Sequence, residues 1–423
     1  MLGLYRFNFL SIIILFAMSA CQPSNEENNL PEDFLEIQSY VKENVVIAHR
    51  GTTHWAPEET EAAYRWARNS GAHYLELDLQ RTKELRDESG KIIEPSVLLA
   101  LHDDNLLRTT DILDKFPEDS HKHVSELTWS EVSQLDAGSW FNSAKPKRAR
   151  KSFEGLELLT LEDVAMISLG YKLKRDDNGR RVMALLEENG KLVWKFEYEK
   201  DLEDNGNRPG LYIETKVPKF FPGIEEDLSK ELSRLGWNIE TSETLLEIGD
   251  NAGKVSVANE QGRVVLQTFS RESLKLLNKY MPGLPKCLLL YEEPENINDG
   301  SDREEYLDWI NFGIANGAQF MGPSIGGEPN NYTDLLHDWQ AKLIHEHGMK
   351  THAYSFDTEE QFLEYTGVTK KQAGLDLNTH KLINGAFTND AVITMTLYNK
   401  HFIEKSENQL MNDQQNILNK LGY

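Results

Sequence analysis

The chain holds 423 residues, enough for one large decorated barrel or for two or three ordinary domains. Hydrophobic residues make up 39% and aromatic residues 9%, which excludes a wholly disordered chain. Asp and Glu number 69 against 45 Lys and Arg, and the resulting net charge of −24 argues against nucleic acid as a partner. An anionic substrate would need a local positive site working against the overall field.

Arg6 precedes a nearly uninterrupted apolar stretch over residues 9–20. That is too short for a bilayer span, which takes about 20 residues, and it fits the core of a cleaved export signal over residues 1–20. Small residues then lead to Cys21, a pattern resembling a bacterial lipoprotein box. Cys21 is therefore the expected lipidation site, and residues 21–44 a polar tether. Gln22 after it resembles outer-membrane sorting in a Gram-negative cell. The expected location is the periplasm or cell envelope, with a membrane as partner through the anchor. Cys287 is then alone in an apolar run and reads as a buried, inert thiol.

From residue 45 onward, short apolar runs alternate with amphipathic stretches, the pattern of an α/β fold with a parallel sheet. The runs lie at residues 45–48, 74–79, 97–101, 211–213, 264–266, 287–291, 319–321, 350–354 and 385–388. Helices are predicted over 61–69, 224–235, 271–280, 305–316 and 332–347. Nine runs are one too many for an eight-stranded barrel. Residues 81–96 are polar and carry no helical pattern, whereas a parallel crossover needs a dozen or more residues, usually helical. Residues 74–82 and 97–102 are thus expected to form an antiparallel hairpin, leaving eight parallel strands: a TIM (β/α)8 barrel over 45–400. A typical barrel uses about 250 residues, so insertions are expected, near 104–159 and, as hairpins turning at Asn178-Gly179 and Asn189-Gly190, near 175–207. Residues 401–423 are expected as a C-terminal helical tail.

Four segments sit at predicted strand ends, and in a barrel the C-terminal strand ends form the active-site face. His49-Arg50-Gly51 offers a proton-transfer group, a bidentate anion grip and a sharp turn. Glu76-Leu77-Asp78 turns two carboxylates the same way, because residues i and i+2 of a strand share a face. His102-Asp103 ends the hairpin's return strand, and Glu214-Thr215-Lys216 adds a third carboxylate and a cation. Three inward carboxylates are costly without a partner, and a hard divalent cation with oxygen ligands supplies one. Two histidines beside that cation, with Arg50 and Lys216, make a site for phosphoryl chemistry. His337, His345, His347 and His352 show no metal-binding spacing and read as surface histidines.

These segments, with Pro57-Glu58-Glu59-Thr60, Leu107-Arg108-Thr109-Thr110, Leu266-Gln267-Thr268-Phe269 and Gly385-Ala386-Phe387-Thr388-Asn389-Asp390, resemble the glycerophosphodiester phosphodiesterases, most of all the longer, periplasmic type. The resemblance implies a TIM barrel that hydrolyses small-molecule glycerophosphodiesters to an alcohol and glycerol 3-phosphate. It implies Glu76, Asp78 and Glu214 as ligands of one divalent cation, Ca²⁺ or Mg²⁺, and His49 and His102 as catalytic. It implies Arg50 and Lys216 on the phosphate and Glu58 as a supporting residue that positions His49, Arg50 or the water around the metal. The family usually has Thr-Asp-x-Pro where this chain has Thr388-Asn389-Asp390-Ala391, and Trp-Thr-x-Asn where it has Tyr354-Ser355-Phe356-Asp357. Both departures read as lying outside the histidine, carboxylate and lysine set, on the glycerol side. Two alternatives stay open: a related barrel phosphodiesterase acting on lysophospholipid or glycerol phosphate polymer, and a non-catalytic lipoprotein that binds phosphorylated ligands. Head group, choice of metal and oligomeric state are not written in the sequence.

Overall fold

The computed structural model describes residues 30–245, 252–366, 382–398 and 407–423. Cys21 and residues 1–20, the expected export signal, lie outside the described residues. Eight parallel strands form a closed ring: β1 (Val45–Ala48), β2 (Tyr74–Arg81), β3 (Gly210–Thr215), β4 (Val264–Thr268), β5 (Lys286–Leu290), β6 (Phe320–Pro323), β7 (Lys350–Phe356) and β8 (Gly385–Thr388). Each pairs with the next, and β8 pairs back with β1 from Val45↔Gly385 to Ala48↔Thr388. Both faces of such strands are covered, which is why they read as continuous apolar runs rather than as alternations.

The extra run is the expected antiparallel return. Leu98–Ala100 pairs with the outer end of β2, Leu79 opposite Ala100 and Arg81 opposite Leu98. It delivers His102 to the mouth of the barrel. The hairpin Met183–Glu188/Lys191–Phe196 turns at Asn189 and Gly190, with φ of 52° and 77°. Two successive positive φ values are what a two-residue hairpin turn demands.

Helices cover the ring. Glu61–Ser70 ends on Gly71 at φ 93°, a left-handed cap. Leu161–Ser168, too short to stand out in the sequence, is fixed by a capping box between Thr160 and Asp163. The helix predicted from residue 332 starts later, at Asp338–Glu346, where His337 and Gln340 form a capping box. The preceding residues stay extended because the Ser324 hydroxyl and carbonyl bond the backbone of Thr333 and Leu335.

One terminal segment also differs from expectation. The tether does not run to residue 44: Phe34–Ser39 is a helix, with Phe34, Ile37 and Val41 buried at the floor of the barrel. Gln38 donates from Nε2 to the carbonyls of Gln319 and Gly348, just before β6 and β7. The apolar spacing of Phe34, Ile37 and Val41 places them on one face of a turn and carries this packing. At the other end, Glu407–Lys420 is helical and docks on Glu61–Ser70, where the Trp66 indole donates to the Gln414 carbonyl at 3.1 Å.

Candidate active site

Inward-facing positions change character along each strand. At the floor, Tyr74, Tyr212, Phe320 and Phe387 fill the ring. His352 is buried among them, stacked on Phe320 at 4.1 Å and bonded through Nδ1 to the Tyr212 hydroxyl at 2.9 Å. It is therefore not a surface histidine; it occupies an inward position of β7. Two residues further along β2 and β3 the same face turns acidic. Glu76, Asp78 and Glu214 each offer a carboxylate oxygen, all within 4.8 Å of one another. The register that sets Asp78 opposite Glu214 produces this cluster.

Three expected site residues gather around it, two of them in direct contact. Arg50 follows β1 at φ 53°, so its N–H reaches Glu76 Oε2 at 2.7 Å while its Nε lies 3.1 Å from Asp78 Oδ2. Gly51 next to it has φ 76°, and a Cβ there would sit 2.7 Å from the Ala63 carbonyl carbon, so only glycine fits the turn. Lys216 Nζ lies 3.1 Å from Glu214 and 3.6 Å from Asp78. Glu58 touches neither histidine. It accepts from Arg50 at 3.1 Å and from both terminal nitrogens of Arg108 at 2.9 and 2.7 Å.

The two histidines face one cavity of about 720 Å³ whose walls also carry Glu76, Glu214, Arg50 and Lys216. They are held differently. His102 Nδ1 lies 2.7 Å from Asp103, whose carboxylate accepts two bonds from Arg108. His49 Nδ1 lies 2.8 Å from the amide oxygen of Asn389. Asn389 thus touches the histidine set directly, against the expectation that the departures from the family pattern lie outside it. Tyr354 and Tyr332 line the opposite wall with Phe269 and Tyr291. Tyr332 reaches that wall because the helix starts after it.

Crowding drives the carboxyl groups apart in acidity. Burial, and then Asp78, push Glu76 well above the usual range. Burial raises Glu214 to about 8, against the pull of Lys216. Burial acts on Asp78 too, but Lys216, His102 and Arg50 hold it below the usual range. Burial opposes the charge of Glu58, yet Arg50 and Arg108 bring it down to about 2. Desolvation and Arg50 keep the His49 ring neutral down to about pH 3, and both also lower His102. A buried acidic triad whose members compete for charge, with Asp78 Oδ2 buried and lacking a hydrogen bond, suits a hard divalent cation.

Sequence reasoning missed five participants. Arg108 and Glu59 stood inside quoted motifs without a role. Glu59 accepts from the Asp78 N–H at 2.8 Å. Gln267, at the end of β4, donates to Glu76 at 3.0 Å. Asn389 and Asp357 were noticed only as departures from a pattern.

The profile of the glycerophosphoryl diester phosphodiesterase family matches residues 49–377. A glycerophosphodiester phosphodiesterase of Bacillus subtilis (strain 168) is 28% identical over 315 residues, spanning 74% of this chain and 77% of the relative. One from Caldanaerobacter subterraneus subsp. tengcongensis is 32% identical over 248 residues, spanning 59% of this chain and 67% of the relative. A solved structure from Silicibacter pomeroyi superposes over 87% of this chain and 98% of its own with a TM-score of 0.53 at 14% identity, a likeness of fold. The chain belongs to the glycerophosphoryl diester phosphodiesterase family.

Proposed function

We propose that this protein hydrolyses glycerophosphodiesters to an alcohol and glycerol 3-phosphate, with His49 and His102 transferring protons and a divalent cation, Ca²⁺ or Mg²⁺, held by Glu76, Asp78 and Glu214. The observation that carries the reading is that both imidazoles line one cavity with Glu76 and Glu214, two of the three clustered carboxylates. Bound there, the cation supplies positive charge against the phosphoryl oxygens. Arg50 and Lys216, paired with the carboxylates in this structure, are the protein's own donors toward those oxygens. One histidine accepts the proton of the glycerol 2-hydroxyl as that oxygen attacks phosphorus. The other donates a proton to the departing alcohol as its P–O bond breaks. Water then opens the cyclic phosphate by the reverse proton movements. Hydrogen bonds to Asn389 and Asp103 hold each ring by Nδ1, which leaves Nε2 for the substrate.

The test is release of alcohol from a panel of glycerophosphodiesters, with and without chelator, alongside 2-deoxy analogues. Turnover of the natural diesters only, and only with cation, supports the reading. Ordinary hydrolysis of a 2-deoxy analogue shows direct attack by water instead. The same proposal places the enzyme in a bacterial envelope, acylated at Cys21. Intact mass of the mature membrane-bound protein tests this, and an unmodified N-terminus at any other residue overturns it.

A further inference from the structure

We infer that Asn389 and Asp357 form a positioning couple that fixes the tautomer and orientation of His49; this rests on the reading of His49 as a proton-transfer group. Asp357, at the exit of β7, presents a carboxylate oxygen 2.7 Å from Asn389 Nδ2. A carboxylate only accepts, so the Asn389 amide must turn its NH₂ toward Asp357. The same NH₂ lies 3.3 Å from the Ser355 hydroxyl. With its nitrogen committed on that side, Asn389 has its oxygen toward His49, 2.8 Å from Nδ1. An amide oxygen also only accepts, so Nδ1 must carry the hydrogen. The lone pair is then on Nε2. Asp357 thus sets the imidazole tautomer through an intervening amide, without touching the ring.

The support around the couple is structural. The Thr52 hydroxyl donates to the Asn389 carbonyl at 2.6 Å, tying the start of the β8 loop to the β1 loop that carries His49. Asn330 donates to the Ser355 carbonyl at 2.5 Å and closes the far side. Asn389 exposes 6% of its surface, so water does not compete for the amide. A neutral amide faces the neutral His49 ring, whereas His102 is backed by a carboxylate shared with Arg108. The two proton-transfer groups are therefore held by devices of different charge.

The reciprocal exchange provides the test. Asn389→Asp sets two carboxylates face to face in a buried place, and Asp357→Asn removes the acceptor that orients the amide. The double variant Asn389→Asp/Asp357→Asn rebuilds the bond with donor and acceptor reversed. A carboxylate at 389 then accepts from both His49 Nδ1 and the amide at 357. The expected result is that Asn389→Asp loses about 10-fold in kcat, less than the 10²–10⁴ that a whole acid–base group contributes. KM stays within about twofold, because neither residue lines the cavity. The exchanged pair recovers most of the kcat. Nitrogen-15 spectra of the imidazoles in the folded protein give a second readout that does not depend on turnover. They should show His49 with hydrogen on Nδ1 in the parent and the exchanged pair, and a mixture in Asn389→Ala. An exchanged pair no better than Asn389→Asp, or an unchanged tautomer in Asn389→Ala, overturns the inference. If instead His49→Ala keeps full activity, the reading of His49 itself fails, while the tautomer measurement still decides the couple.

Discussion

The two ends of the barrel interior are built from the same strands and do opposite work. On β2, Tyr74 faces the floor and Glu76 and Asp78 the mouth; on β3, Tyr212 is followed by Glu214. At the floor, rings meet rings: Tyr74 and Tyr212 at 5.7 Å, Tyr212 and Phe387 at 5.0 Å. These contacts bury apolar area and add stability. At the mouth, two residues higher, carboxyl groups are crowded until burial and mutual repulsion force some to keep their protons. That crowding costs stability and makes a triad that suits a hard divalent cation. The period-two geometry of a strand lets one segment serve both ends, so activity and stability should be separable by position along it.

The largest separation is expected at the carboxylate triad. Chelation should abolish turnover and a divalent cation restore it, read in the product-release assay. Full turnover by metal-stripped protein, or by Glu76→Ala, would remove the triad from the mechanism. Next come the histidines. His49→Ala and His102→Ala should each lose about 10²–10⁴-fold in kcat while the unfolding midpoint barely moves. The double variant should lose less than the product of the two, since they act in one reaction. At the floor the pattern inverts. Phe320 is fully buried against His352, so Phe320→Ala should cost about 3–5 kcal/mol in denaturant unfolding. The kcat of what remains folded should stay within about twofold. A floor variant that loses activity at unchanged stability would show that the two ends are not separable.

The same geometry explains how much could be read from the sequence. All eight barrel strands were legible because covering on both faces makes each a short, largely apolar run. Glu76, Asp78 and Glu214 were legible because i and i+2 need no tertiary knowledge. The return strand followed from the lack of helical pattern between residues 81 and 96. What escaped was contact across long separations. His49 and Asn389 are 340 residues apart, and Asp357 meets Asn389 from a neighbouring strand. Nothing local marks an amide as facing a ring. His352 was misplaced because its partners Tyr212 and Phe320 come from other strands. The floor helix Phe34–Ser39 was hidden in a polar stretch although its apolar spacing was present.

Inside the mouth itself, Glu58 and Glu214 are buried carboxyl groups whose acidities move in opposite directions. Glu58 falls from 4.5 to about 2 because Arg50 and Arg108 outweigh burial. The folded state therefore binds its proton less tightly than the unfolded state does. Its contribution to stability is present above pH 4.5 and is lost as the pH falls through about 2. At about 1.4 kcal/mol per unit, that contribution is on the order of 3 kcal/mol. Glu214 rises to about 8 because burial outweighs Lys216. In cation-free protein its sign is reversed: the proton it keeps favours the folded state below pH 4.5, and that advantage is lost as the pH rises through about 8. Glu58→Gln should accordingly destabilise the protein at pH 7 and approach the parent near pH 2. Glu214→Gln should match the parent in acid and be more stable than it at pH 8. Urea unfolding in chelator across that range measures both. Adding cation should raise the parent at pH 8 and leave Glu214→Gln behind, since the ligand that expelled its proton is gone. Parallel pH profiles for the two variants would show that the carboxyl groups of the mouth share one environment rather than two.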